Sequence, residues 1–375
     1  MAKIIIIGGG AAGMAAAVFL GEQNHQVHLF EKNEKLGKKL FITGKGRCNI
    51  TNSCDEETFF QSVVSNPKFL YSAFYGYTNR DVIAFFESLG LAVKEERGGR
   101  IFPVSDHSSD VIKVLEQRMK ALDVKIHLKS RVEKVLTENS LEGEEKIRGV
   151  LLENGAEILA DRVIVATGGC SYQATGSTGD GYTFARETNH KVTELRPALV
   201  PIETKEEYVK DMQGLALKNV RFTVKDGKKV LYDDFGELLF THFGISGPLV
   251  LTASSRIGKK LEKKELQAFL DLKAALSEEQ LDGRLLREFE NGKNKQFKNV
   301  ITGMFPAKLY PVMLSLGGIP PEKKVNEITK EERREFIQVI KHFPLTLTSL
   351  RGFREAIITQ GGVTVKDIQD RKRTR

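Results

Sequence analysis

An α/β fold built on a parallel sheet, with an inserted β-rich plus helical domain, is the class this sequence predicts. Three observations carry it: an apolar run that breaks into GGG (residues 3–10), a second apolar run that ends in glycines (VIVATGG, residues 163–169), and a change of texture near residue 196.

Residues 3–7, KIIII, read as a fully buried strand, because unbroken β-branched runs belong to the centre of parallel sheets. Gly8, Gly10 and Gly13 follow in the spacing GxGxxG and open an Ala-rich helix to about residue 23. Residues 26–32, QVHLFEK, then alternate as a second strand, which completes a small βαβ unit. The charge-free run 4–21 also suits a signal peptide or a short membrane span. Its triple glycine separates two elements of different period, so a buried strand and helix, with no membrane contact, is the expectation.

Further on, SSDVIKVLEQRMKALD (108–123) is a helix with Ser109 and Asp110 near its start, and residues 125–169 hold short strand-like runs between polar turns. Pro197 and Pro201 mark a boundary, Asp226-Gly227 a hairpin turn, and 248–261, 278–290 and 330–341 helices. Strand texture returns from Arg354. The expected plan is a nucleotide-binding domain over 1–195, an inserted substrate domain over 196–350, and a return to the first domain over 351–375.

A chain of 375 residues with 41% hydrophobic content is long enough for two globular domains, and its composition excludes a disordered protein. The formal charge of +8 suits an anionic partner such as RNA, although part of it sits in the terminal RKRTR. Cys48, Cys54 and Cys170 form neither a CxxC pair nor a metal-ligand spacing, which argues against a metal site and a disulfide-redox enzyme and for a reducing, cytoplasmic compartment.

The GxGxxG has the context that gives it meaning: a strand before, a helix after, and Glu31 closing the second strand. The first glycine permits a tight turn, the second lets backbone approach a pyrophosphate, and the third lets the helix pack on the strand. The helix N-terminus then stabilises the diphosphate. Glu31 would accept from ribose hydroxyls and repel a 2′-phosphate, which suits FAD or NAD better than NADP. ATGG (166–169) offers a second glycine turn, and TGSTGDGY places hydroxyls before a helix beginning near Asp180.

Taken together, GKKLFITGKGRCNITN, ATGGCSYQATGSTGDGY, ALVPIET, LFTHFGISGP and TQGGV resemble the BaiN/RdsA family of flavoproteins, also called the YhiN family. The resemblance runs to about Ile368. It implies an FAD domain of two-dinucleotide-binding (Rossmann-like) type with an inserted domain, and reduction of carbon-carbon double bonds: a uridine of large-subunit ribosomal RNA in one branch, dehydro bile acids in another. It further implies that Gly8, Gly10, Ala12, Gly13, Glu31 and Lys32 contact the ADP part of FAD and that Val132 lies near the adenine. Gly46, Arg47, Cys48 and Asn49 would lie along the flavin side, with Thr167 and Gly168 beside the cofactor. Ala11, Lys39, Gly44 and Ala166 complete the expected cofactor set. Gln173 stands where the family pattern has proline. The pattern also continues past TQGGV with a segment that closes over the flavin, whereas this sequence stops at DIQDRKRTR, so a shortened C-terminus is expected.

Flavin chemistry needs a proton donor from the protein. Cys48, set among Lys45, Arg47 and Asn49, is one candidate, against the alternative of a small packing residue; His242, in THFGISGP, is a second candidate beside a merely structural role. Lys293, Lys295 and Lys298 flank Phe297, which offers a base-stacking ring beside phosphate-neutralising cations, unless the run is only a solvated loop. The expected function is therefore FAD-dependent reduction of an activated C=C bond, with NADH or NADPH as transient reductant and ribosomal RNA uridine as first substrate. A small enone is the alternative, or a noncatalytic flavin- or RNA-binding role.

Overall fold

The computed structural model describes residues 1–139 and 145–368; the basic tail RKRTR lies outside the described residues. The chain divides into two compact units, Met1–Leu195 with Gly361–Arg375, and Arg196–Gln360.

The first unit is organised by four parallel strands. β1 (Lys3–Ile7) leads through α1 (Ala11–Glu22) to β2 (Gln26–Phe30), and α2 (Lys38–Ile42) follows. Helices Glu56–Ser62 and Tyr71–Gly76 precede α3 (Asn79–Ser88), α4 (Ser108–Ala121) and β3 (Lys125–His127). β4 (Arg162–Val165) and α5 (Asp180–Glu187) complete the part that matters for the site. The sheet order is β4-β1-β2-β3, with Ile5 opposite Val163 on one side and His28 on the other. β1 is unbroken in apolarity because both its faces are covered: Ile6 packs with Met14 and Leu29 among the helices, while Ile5 and Ile7 join Phe30, Val135 and Phe184 on the other face. Ile5 and Ile6 are fully buried, a contribution of about 1.5–3 kcal/mol each.

The second unit is a closed six-stranded barrel with helices. Its strands are β5 (Ile202–Thr204), β6 (Ala216–Asp226), β7 (Lys229–Phe240), β8 (Gly244–Ser246), β9 (Leu266–Asp271) and β10 (Phe343–Leu350), in the order β5-β8-β7-β6-β9-β10. Pairing of Ile202 with Leu350 closes it. The hairpin between β6 and β7 turns at Gly227, where φ is 58°. α6 (Pro248–Leu261), α7 (Glu278–Asn291) and α8 (Lys330–Lys341) pack with the barrel core, the last two opened by capping boxes at Ser277 and Thr329.

Two expectations change here. Phe297 is completely buried, edge-on to Phe336 at 5.2 Å, so it is a core residue and offers no stacking ring. The unit boundary falls at Gln360, since strand Ile358–Gln360 pairs antiparallel with Arg196–Ala198. No helix among the described residues is long and apolar enough to cross a membrane.

Candidate functional site

In the order β4-β1-β2 the parallel strands are added first to one side of β1 and later to the other, and a cleft forms at this switch point outside the carboxyl ends of the strands, where open parallel sheets bind ligands. Its volume is about 770 Å³, within the range of ligand pockets. Gly8, Gly10, Ala11, Ala12, Glu31, Lys32, Lys39, Cys48, Asn49, Val132, Ala166, Thr167 and Gly168 all line it.

The glycine turn is shaped by close approach. Gly8 has φ of 107°, and a Cβ there would lie 2.5 Å from the Ala166 carbonyl oxygen; one on Gly13 would lie 1.9 Å from the Gly8 carbonyl oxygen. Gly13 is thus a packing residue behind the cleft rather than part of its lining. Gly10 is different: nothing lies within 4 Å of a Cβ built on it. It is the N-cap of α1 and offers no side-chain cap, and the first turn carries no acid, so the helix opens onto the cleft with uncapped N–H groups. That is the donor set a diphosphate requires.

Glu31 is buried at the end of β2. One oxygen accepts from Gly9 N at 2.7 Å, and the other from Asn33 N at 2.8 Å and Asn33 Nδ2 at 2.6 Å. A carboxylate keeps further lone pairs for ribose hydroxyls, and its charge disfavours a neighbouring phosphate. Lys32 donates to Thr178 Oγ1 (2.6 Å) and Asp180 Oδ2 (2.7 Å), and Asn33 Nδ2 also reaches the Thr175 carbonyl at 3.1 Å, so the TGSTGDGY segment is strapped to the end of β2. Burial alone would raise the Asp180 carboxyl, but hydrogen bonds from Lys32 and Thr178 outweigh it and hold the group below the usual carboxylate range. Lys39 donates to Ser171 Oγ at 2.7 Å, and burial lowers its pKa.

The TGKGRCN loop winds tightly, with positive φ at Gly44 (61°), Lys45 (60°), Gly46 (84°) and Cys48 (61°). Cys48 N donates to the Thr43 carbonyl at 2.9 Å, and Ser108 at the start of α4 clamps the loop through its N–H to the Gly46 carbonyl. This geometry buries the Cys48 side chain on the cleft wall, 3% exposed, and burial pushes its thiol up to about 11. The thiol is therefore protonated throughout the physiological range.

Gly44, Gly46 and Arg47 lie outside the lining. Arg47 is committed elsewhere, pairing with Glu96 and with Asp106 at 2.7 Å while stacking 4.2 Å from the Phe102 ring centre. Its cation is thereby neutralised within the protein. His242 belongs to the second unit, exposed in the loop between β7 and β8 with its ring 4.9 Å from Phe243.

Sequence reasoning passed over several lining residues. Asn33 and Asp180 carried faint signals, two residues after Glu31 and at the head of a helix. Phe19, Tyr77 and Phe85 carried none, for they meet from α1, the bend before α3 and α3, with the Phe19 ring centre 5.1 Å from Tyr77 and 5.0 Å from Phe85. The donor set, the buried carboxylate and the open space at Gly10 together fit FAD.

Comparison with known proteins agrees with this fold. The HI0933-like protein Rossmann domain family matches residues 2–374. Over 98% of its length the chain is 32% identical to the 3-dehydro-bile acid delta(4,6)-reductase of Clostridium scindens, covering 88% of that protein. It is 31% identical over the same share to the ribosomal RNA dihydrouridine synthase of Haemophilus influenzae, and 28% to that of Escherichia coli, covering 87% and 86% of them. With a family match across nearly its whole length, relatives at this identity and a glycine-lined cleft at the carboxyl edge of its parallel sheet, the chain belongs to the HI0933-like family.

Proposed function

We propose that this chain is an FAD-dependent oxidoreductase that adds two hydrogens across an activated C=C bond, with a uridine of large-subunit ribosomal RNA as substrate. The observation that carries the reading is a single cleft lined both by an uncapped helix N-terminus and by a buried, protonated thiol. Gly8, Gly10, Ala11 and Ala12 would hold the diphosphate, Glu31 the ribose, and Val132 the adenine. Bound there, FAD supplies the hydride. The protein supplies the rest: apolar Leu40, Ile50 and Val82 exclude water, and Cys48 Sγ holds the proton that the second carbon takes up. His242 is proposed as a second hydrogen-bond donor to substrate. NADH or NADPH is the expected reductant, and the cytoplasm the expected compartment.

The substrate follows from the two dihydrouridine synthases among the relatives and from the positive formal charge. The test is to incubate purified FAD-loaded protein and NADPH with protein-free ribosomal RNA and look by mass spectrometry for nucleosides heavier by two hydrogens. A second reading, a small-enone reductase, is favoured by the 32% relative named for a bile-acid double bond. Unmodified RNA beside a reduced steroid enone would establish that reading over the first. A protein without flavin absorbance after FAD addition would be noncatalytic.

A further inference from the structure

We propose that the tip of the β6–β7 hairpin and the C-terminal end of α6 form a phosphate-binding surface that docks the backbone of an RNA; this rests on the RNA reading above and gives it a location. Two stretches far apart in the sequence supply it, Lys225, Lys228 and Lys229 on the hairpin, and Lys259, Lys260, Lys263 and Lys264 at the helix end. They meet because Asp226, one residue before the turn, accepts from Lys260 Nζ at 2.6 Å and from Lys264 Nζ at 2.5 Å. Asp226 pairs in register with Lys229, which sets Gly227 and Lys228 at the same end.

Seven lysines thus gather at one end of the barrel, where Asp226 pairs with two of them, Lys260 and Lys264. All but Lys225 are exposed. Acids beside these lysines in the sequence or in space are already engaged: Glu262 by Arg196 at 2.7 Å, Glu265 by Lys205 at 3.1 Å and Asp233, which also feels Lys225, by Arg221 at 2.5 Å. The C-terminal dipole of α6 offsets some of the repulsion among these cations, but like charges at this density still oppose one another. A polyanion resolves the conflict by replacing the repulsion with phosphate contacts and releasing counterions. The basic run of 293–298 is a weaker candidate: Lys293 faces Glu290, Lys298 faces Glu322, and Phe297 is buried. A small neutral substrate has no use for the lysine surface.

The test compares FAD-loaded full-length protein with the quadruple variant Lys228→Ala, Lys229→Ala, Lys259→Ala, Lys263→Ala, which keeps the two lysines that bridge Asp226. Binding to a fluorescent large-subunit ribosomal RNA transcript is followed by anisotropy from about 50 to 200 mM KCl. The expected result is a slope of log affinity against log salt shallower by about 3, from four lost contacts at 0.7–0.9 each, and ten- to a hundredfold weaker binding at the lowest salt. Flavin content and thermal midpoint should match the wild type, and arginine at the same four positions should preserve binding. Equal slopes and affinities for wild type and variant would overturn the surface while leaving the RNA reading intact. Absence of salt-dependent RNA binding by the wild type would overturn both.

Discussion

Two alanine substitutions in one turn should separate the packing role of its glycines from their ligand role. In Gly13→Ala the new methyl carbon starts 1.9 Å from the Gly8 carbonyl oxygen and 3.1 Å from its carbon. Gly8 has little room to yield, because its N–H is fixed to the Phe30 carbonyl at 2.8 Å and the Ala166 carbonyl packs so closely that even a Cβ on Gly8 would lie 2.5 Å from its oxygen. Helix α1 must therefore retreat by about 1 Å from a close-packed contact. Overpacking at the upper end costs about 3 kcal/mol, and the better helix propensity of alanine returns about 1 kcal/mol. The net loss of about 2 kcal/mol predicts a thermal midpoint lower by about 4–8 °C for a unit of this size. Retreat of the N–H groups also weakens charge-assisted bonds worth about 1.5–3 kcal/mol each, so FAD affinity should fall ten- to a hundredfold. Gly10→Ala meets no atom within 4 Å and should shift stability by no more than about 0.5 kcal/mol, the difference between glycine and alanine at an N-cap. Its methyl nevertheless projects where a phosphate would sit, so flavin affinity should fall without the thermal loss. Calorimetry and flavin-to-protein ratios measure both. Retention of wild-type midpoint and flavin content by Gly13→Ala would refute the packing argument, and a Gly10→Ala protein that unfolds early yet binds flavin normally would refute the ligand argument.

Cys48→Ala should retain flavin while turnover falls by about a hundredfold, the lower range for loss of a general acid, and stopped-flow reduction of an enone measures it. The same thiol sets an alkaline limit on stability. Its folded pKa of about 11 exceeds the ordinary value of 9.0, so its contribution is fully present below pH 9 and is lost as pH rises through 11; urea midpoints of Cys48→Ala should fall less than those of the wild type across that interval. Asp180→Asn weakens the Lys32 tie and should cost about 1 kcal/mol at neutral pH. Because the folded Asp180 pKa is lowered, that stability is present above the ordinary carboxylate value and vanishes as pH falls through the folded one, so wild-type and variant unfolding curves should converge in acid. Arg47→Ala should lower the thermal midpoint while leaving the FAD dissociation constant within about threefold, since its partners are Glu96, Asp106 and Phe102; titration of apoprotein with FAD decides this, and a larger loss of affinity would place Arg47 at the cofactor.

The parallel sheet was legible because its signals are local. A β-branched run, a glycine turn and an Ala-rich helix occupy consecutive residues, and α6 and α8 span the predicted 248–261 and 330–341. The barrel was not legible, because it closes through Ile202 and Leu350, a pairing of a three-residue strand with one far along the chain that no local period announces. The helices Glu56–Ser62 and Tyr71–Gly76 were missed for a different reason: their aromatics pack on one another, such as Phe59 against Phe74 at 4.3 Å, rather than forming an apolar stripe that faces a sheet.

The site divides along the same line, and TGKGRCN shows why. Its glycines and cations announce an anion-binding turn, but charge in a sequence does not reveal its partner, and those of Arg47 lie 49 and 59 residues downstream. The structure removes the arginine from the cleft and turns attention to its neighbour. Cys48 occupies a left-handed conformation that costs a side-chain-bearing residue about 1–2 kcal/mol and costs glycine almost nothing. Were the residue needed only to fill space, a glycine in this loop with a larger neighbour would reach the same packing without the strain. The fold instead holds Lys45 and Cys48 at positive φ and adds a carbonyl from Thr43 and a clamp from Ser108 to hold one thiol, buried and protonated, against a cleft that fits a flavin. A left-handed backbone at the cysteine that lines the cleft is what a proton donor with a fixed position would require.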